Sequence, residues 1–177
     1  MKSLGLITLA GLWPCLGLWA ADTNSMAEPL EPFRPLLGKT WRGEFKKSTP
    51  EKPLVDIARW ERALNGKAVR ILNSVNNGSY GGETIIQWDA GKKQIIYHYF
   101  TTAGFYTTGT MTHADGKFTS HEKVLGDTSG VTEVRATNEL RPDGTLFSKA
   151  EYLKNGEWTH GREVLYKEDP NAEVKFR

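Results

Sequence analysis

Cysteine is almost absent from this sequence. The 177-residue chain has one cysteine, Cys15, and it lies in an N-terminal segment that we predict to be removed. A mature chain without cysteine excludes a disulfide framework, a thiolate nucleophile and a cysteine-ligated metal site. The folded domain must therefore be stabilised by its hydrophobic core.

An excess of charge of either sign is also lacking. The sequence has 23 lysines and arginines against 21 aspartates and glutamates, a formal net charge of +2. Binding to a nucleic-acid backbone requires basic side chains clustered on one face of a protein. We therefore predict no nucleic-acid partner.

Long apolar runs are missing except at the N-terminus. Lys2 supplies a positive start, residues 4–19 are apolar, and Ala20 and Ala21 are small residues suited to cleavage. This order is typical of a secretory signal peptide, which we predict at residues 1–21. The run is too short for a stable membrane span, although an uncleaved membrane anchor is the alternative. We expect a secreted or periplasmic protein.

Motifs that carry enzyme chemistry are missing as well. The sequence contains no Gly-x-Ser-x-Gly elbow, no Gly-x-x-x-x-Gly-Lys phosphate loop and no His-Glu-x-x-His helix motif. His160 and Glu163 are three residues apart, which on a regular strand places them on opposite faces and prevents them from sharing a metal. We expect no enzymatic activity, no cofactor and no metal site.

Strand-forming runs fill the sequence from Trp41 onward. They are rich in β-branched and aromatic residues and are separated by Gly, Asn, Asp and Pro. Dipeptides such as Asn65-Gly66 and Asp115-Gly116 tolerate the positive φ angles of tight hairpins. The pattern predicts ten strands, near residues 39–47, 54–64, 67–75, 83–89, 94–101, 105–112, 117–124, 131–140, 145–153 and 157–167.

Short loops join all of these predicted strands. An up-and-down meander of that many strands must hide two edges, and closing the sheet on itself removes both. We predict an all-β fold, a single up-and-down antiparallel barrel of about ten strands at residues 36–168. A linker and lead-in at residues 22–35 precede it, and a tail at 169–177 follows. A two-sheet sandwich with Greek-key crossovers is the alternative.

Strict alternation assigns side chains to the two faces of each strand. It places Trp41 inside on the first strand, and Trp60 with Arg62 inside on the second. The last strand would turn Trp158, His160, Arg162, Val164 and Tyr166 to one face, which we interpret as the inner one. The fifth strand is apolar on both faces, so its orientation stays open.

Inward aromatic and basic side chains form the candidate ligand-binding site. An inward arginine needs a carboxylate, a carbonyl or an anionic ligand, because burying an unpaired guanidinium costs several kcal/mol. Small-molecule sites are mostly apolar with a few polar anchors, so we expect a small apolar or amphipathic ligand. The predicted site residues are Trp41, Trp60, Arg62, Tyr97, Tyr99, Trp158, His160, Arg162 and Tyr166.

Several short motifs carry a resemblance to a known family. Residues 36–43 match, with one extra residue, the Leu-Leu-Gly-x-Trp-x-Gly opening of bacterial lipocalin-like proteins, and residues 60–66 and the closing Trp158 and Tyr166 match later positions. The resemblance implies a calycin-type barrel that binds a small ligand. Fatty-acid-binding barrels are also similar in holding a ligand carboxylate with an inward arginine and tyrosine on the final strand.

The sequence also resembles, more distantly, the nitrobindins, which are haem-binding barrels that hold iron with a histidine near the C-terminus. This likeness implies His160 as a haem ligand, which is one alternative function. A barrel filled completely by its large rings, acting through its surface as an interaction protein, is another.

Overall fold

Ten antiparallel strands form a closed barrel in the computed structural model, which describes residues 25–127 and 129–177. Each strand pairs with the next one in the chain, and the last closes onto the first. The strands are β1 Thr40–Phe45, β2 Val55–Ala63, β3 Ala68–Val75, β4 Tyr80–Asp89, β5 Gln94–Thr101, β6 Tyr106–Ala114, β7 Lys117–Leu125, β8 Val131–Leu140, β9 Leu146–Lys154 and β10 Glu157–Glu168. The predicted all-β up-and-down barrel is confirmed.

Hairpin turns fall where the turn dipeptides predicted them. Asn65 and Gly66 have φ angles of 54° and 84°, and Asp115 and Gly116 have φ angles of 51° and 73°. Most side chains avoid this left-handed region, whereas Asn, Asp and Gly adopt it at low cost. Turn chemistry therefore determines where these strands end.

A 3-10 helix at Glu28–Leu36 closes one end of the barrel. Leu30, Phe33 and Leu36 are fully buried in the same core as the inward residues of the strands. The Phe33 ring stacks on Phe118 with centroids 4.5 Å apart. We call residues 28–36 the plug. The described part of the predicted linker is therefore core structure, because its apolar side chains cover the barrel end.

The predicted signal peptide and residues 22–24 lie outside the described residues. Within the described ranges, no helix is both long enough and apolar enough to cross a membrane. The export prediction therefore stays a prediction.

The C-terminal tail returns along the outside of the barrel. The Asp169 amide donates to the Thr40 carbonyl at 2.9 Å, and the Lys175 amide donates to Ser74 Oγ at 3.0 Å. Because Ser74 lies near the end of β3 that is far from the plug, the tail runs from the plug end of the barrel toward its opposite end.

Candidate functional site: an arginine in a small internal cavity

A cavity of about 130 Å³ lies inside the barrel. Its wall combines an apolar part with a set of polar and charged side chains. The lining residues are Asp56, Ala58, Trp60, Ile71, Asn73, Thr84, Ile86, Tyr97, Tyr99, Met111, Ser120, Glu122, Ala136, Asn138, Leu146, Ser148, Arg162 and Tyr166. Drug-sized ligands occupy pockets of about 300–1,000 Å³, whereas a cavity of about 150 Å³ holds benzene. The space suits a molecule of roughly one ring with a polar group.

A β-bulge in β10 separates Arg162, which faces this cavity, from Trp158 and His160. His160 pairs with Glu151 of β9, but Glu163 pairs with Lys149, so β10 contains one residue more than its partner between these pairs. The extra residue reverses the alternation. A Cβ on Gly161 would lie 2.7 Å from the Ala150 carbonyl oxygen, so only glycine fits there.

The Arg162 guanidinium faces the cavity without a direct partner in the described part of the chain. No hydrogen bond and no ion pair within 4.0 Å joins it to residues 25–127 or 129–177. The Arg162 side chain keeps a large accessible surface, and it lines the cavity. Arginine stays protonated in proteins, so the cavity contains a permanent positive charge.

Asp56 is the first of two carboxyl groups in the cavity wall. Tyr166 Oη donates to Asp56 Oδ2 at 2.6 Å, and Asn73 Nδ2 donates to Asp56 Oδ1 at 3.1 Å. Burial raises the pKa of Asp56, although both hydrogen bonds and the nearby Arg162 act to lower it. Both oxygens of this carboxyl are therefore held by donors from the protein.

Glu122, on β7, is the second carboxyl group of the cavity. Thr107 Oγ1 donates to Glu122 Oε2, and the Tyr97 side chain also interacts with this carboxyl. Burial raises the pKa of Glu122, while Thr107, Arg162 and Tyr97 act to lower it. The single permanent cation of the cavity thus lies between two carboxyl groups.

Glycines on neighbouring strands make room for the inward tyrosines. A Cβ on Gly43 would lie 2.4 Å from the Tyr166 ring, and a Cβ on Gly82 would lie 2.5 Å from the Tyr99 ring. Tyr166 can therefore cross β1 to reach Asp56 on β2. Because these glycines have no side chain, they leave space against the barrel wall in which the two rings lie.

The free energy of unfolding is expected to fall as the pH rises above about 4, the ordinary range of carboxyl groups. Because the pKa values of Asp56 and Glu122 are raised in the folded protein, the native state binds more protons than the unfolded state until the pH passes those values. Stability from this pair is thus complete at low pH and is lost with rising pH. Urea unfolding at a series of pH values measures it.

The double variant Asp56→Asn/Glu122→Gln should lack this slope. Carboxyl groups such as Glu151, whose pKa is lowered by its hydrogen bond from Arg135, give the opposite slope, but only below the ordinary carboxyl range. An unchanged profile in the double variant would show that the two cavity carboxyls are not the source.

Five of the nine predicted site residues line the cavity: Trp60, Tyr97, Tyr99, Arg162 and Tyr166. Trp41 is also inside the barrel, but it does not line the cavity. It is only 1% exposed, and its Nε1 donates to the Leu36 carbonyl at 3.4 Å. Its role is to pack against the plug rather than to contact a ligand.

Arg62 has the predicted inward parity but lies at the plug end. Its Nε donates to the Ser25 carbonyl at 2.7 Å, so a backbone carbonyl satisfies it. Arg62 is absent from the cavity lining. The structure therefore places Arg62 away from the cavity, beside the backbone that precedes the plug.

The inward orientation predicted for Trp158 and His160 is wrong. Both precede the bulge and face outward, where Arg135 lies 4.4 Å from the Trp158 ring centroid and His160 Nε2 lies 3.3 Å from Glu163 Oε1. The expectation that His160 and Glu163 occupy opposite faces also fails, for the same reason.

All four histidines of the chain are exposed: His98, His113, His121 and His160. The cavity lining contains no histidine, so no histidine of the described residues is placed to hold a haem iron from inside this cavity. Within the described residues no group of three or more His, Cys, Asp or Glu side chains is arranged to hold a metal ion.

Sequence analysis missed both carboxyl groups of the site. Asp56 shares the inward parity of Ala58 and Trp60, and Glu122 shares that of Phe118 and Ser120. Alternation from Trp60 would have found Asp56. On β7 polar residues occupy both faces, so alternation does not identify the inner face and does not find Glu122.

Comparison with solved structures finds the same barrel architecture in the crystal structure of Rv2717c from M. tuberculosis. The TM-score is 0.58, with 13% sequence identity over 82% of this chain and 99% of that chain. No protein-family model and no curated protein matches the sequence. The likeness shows a shared barrel fold, and the resemblance to lipocalin-like proteins and nitrobindins stays a prediction.

Proposed function

We propose that this protein binds a small amphipathic monoanion, such as a carboxylic acid, inside the barrel. The observation that carries the proposal is the Arg162 guanidinium, which faces a cavity without a direct protein partner among the described residues. The guanidinium is accessible inside the barrel, so an anionic ligand would provide the charged partner that the described residues do not.

The neighbours of Arg162 support an oxyanion as the ligand group. Tyr166, Tyr152, Asp56 and Tyr99 lie close enough to the guanidinium to interact with it electrostatically. The Tyr166 and Tyr99 phenols already donate to Asp56 and Tyr80, whereas the N–H groups of Arg162 have no direct partner among the described residues. Because hydrogen bonds between charged donors and charged acceptors form the stronger class, these open donors favour a carboxylate over a neutral ligand.

The remaining wall supports a compact apolar body on the ligand. Trp60, Ile71, Ile86, Met111 and Leu146 contribute apolar surface to the same cavity. A volume of about 130 Å³ excludes a long extended chain or a macrocycle in this conformation. A completely filled barrel would leave no such space, so the cavity favours ligand binding over a purely surface role.

Isothermal titration calorimetry with matched acid and amide pairs tests this function. Benzoate and hexanoate are expected to bind, and benzamide and hexanamide, which keep the shape without the charge, to bind at least tenfold more weakly. Native mass spectrometry after gentle purification is the companion measurement, because a co-purified acid appears as added mass. Failure of both acids to bind would overturn the proposal.

We also propose that the protein is exported, on the basis of residues 1–21. The mature chain is expected to begin near Ala21 or Asp22. Intact-mass measurement of the exported protein checks this, and a mass that includes residues 2–19 would contradict cleavage.

A further inference from the structure

We infer that the cavity takes up one proton with each ligand anion, and that Glu122 receives it. This inference rests on the proposed function, since it concerns the same site. It predicts which ligands are selected, namely monoanions rather than dianions, and how the affinity depends on pH.

The charge count of the cavity is the first step. Arg162 is its only cation, and Asp56 and Glu122 are its two carboxyls within the described residues. In the ring of ten strands β2 and β7 are five places apart, so these carboxyls stand on opposite walls. The titratable groups that face this space are Asp56 on β2, Tyr80 on β4, Tyr97 and Tyr99 on β5, Glu122 on β7, Tyr152 on β9, and Arg162 and Tyr166 on β10.

The tyrosines of the cavity are not the groups that take up the proton. Burial raises the pKa of Tyr80, Tyr97, Tyr99 and Tyr166, so these phenols stay neutral at physiological pH. His121 also interacts electrostatically with Glu122, but it lies on the outer face of β7, where its Nε2 is 2.6 Å from Glu133 Oε2. The two carboxyls are thus the groups that can change charge.

An added anion makes two ionised carboxyls unfavourable. In a cavity of low dielectric, like charges repel strongly. A ligand anion bound at Arg162 is repelled by both carboxyl groups when they are ionised. Protonation of one carboxyl keeps the total charge of the cavity unchanged when a monoanion enters. A dianion would require both carboxyls to be protonated, so the site should discriminate against it.

Hydrogen bonding assigns the proton to Glu122 rather than to Asp56. The Asn73 amide that holds Asp56 Oδ1 can only donate, which keeps this oxygen an acceptor and leaves Oδ2, held by the Tyr166 hydroxyl, as the one place on Asp56 for a proton. The partners of Glu122 are the hydroxyl groups of Thr107 and Tyr97, which can either donate or accept. A neutral Glu122 can donate to such a hydroxyl, and no hydrogen bond is lost.

Calorimetry of the full protein with benzoate, in buffers that differ in ionisation enthalpy, counts the protons taken up. We expect close to one proton per benzoate near neutral pH. Between about pH 6 and about pH 9 benzoate stays ionised, and its affinity should fall by up to about tenfold per pH unit above the pKa of Glu122 in the free protein. Phthalate, a dianion, should bind far more weakly than benzoate.

The variant Glu122→Gln tests whether Glu122 takes up the proton, because glutamine keeps the shape of a neutral carboxyl group but cannot be ionised. This variant should take up no proton and bind benzoate with an affinity that is independent of pH, whereas exposed Glu51→Gln should behave as wild type. Infrared difference spectra of the wild type, in which a neutral carboxyl band should appear on binding, test the proton without any substitution.

The outcomes separate the two proposals. Absence of benzoate and hexanoate binding at every pH overturns the proposed function itself. Binding by the wild type without proton uptake and without a new neutral carboxyl band overturns this inference alone. Proton uptake that persists in Glu122→Gln overturns the assignment to Glu122.

Discussion

Arg162→Met is expected to reduce the affinity for benzoate by about thirtyfold or more. Truncating one partner of a buried, hydrogen-bonded charge pair costs about 2–5 kcal/mol, and about 1.4 kcal/mol corresponds to tenfold in affinity. The variant cavity would still strip water from the carboxylate but would no longer offer it a positive charge. Calorimetric titration of both proteins under the same buffer conditions measures the effect.

Methionine at position 162 is expected to leave the barrel folded, because replacing a buried charge with an apolar group of similar length is often neutral for stability. Benzamide, which lacks the charge, should lose little affinity. Arg42→Met is the matched control, since Arg42 is on the outer face and 3.6 Å from Glu44. Wild-type affinity for benzoate in Arg162→Met would remove Arg162 from the site.

Phe33→Ala is expected to lower the free energy of unfolding by about 3–5 kcal/mol, the usual cost of deleting a buried phenylalanine ring. Phe33 is fully buried and stacks on Phe118 at 4.5 Å and on Trp60 at 6.3 Å. The barrel end cannot collapse onto the resulting space, because closed strands hold its width. Urea or guanidinium unfolding followed by tryptophan fluorescence measures the loss.

Phe176→Ala provides the comparison, because Phe176 is 49% exposed. Its truncation should change stability by no more than about 0.5 kcal/mol, as expected for a surface substitution. A loss below about 1 kcal/mol in Phe33→Ala would mean that the plug is not part of the cooperative core.

The β10 bulge shows where strand alternation fails as a predictor. Trp158 and Arg162 are four residues apart and would share a face on a regular strand, yet the single extra residue near Gly161 separates them. A glycine inside a strand is a weak signal for a bulge, and it does not say on which side the extra residue lies. The same bulge places His160 on the outer face although Arg162, two residues later, faces the cavity.

The orientation of β5 was also undecidable from its residues. Both of its faces are apolar, so no contrast of polarity identifies the inner one. In the structure Tyr97 and Tyr99 line the cavity, while Phe100 on the other face is 53% exposed. Pairing with β4 and β6, whose inner faces are defined, settles the direction.

The sequence by itself determined the ten strands, their turns and the up-and-down order, because alternation and turn chemistry act between residues close in the chain. Only the tertiary structure decided the site. The hydrogen bond from Tyr166 to Asp56 joins residues 110 positions apart, and closure of the barrel is what brings them together. A register shift between β9 and β10 likewise decides that Trp158 and His160 face outward while Arg162 faces the cavity. Such contacts depend on pairing between whole strands, which no local pattern encodes.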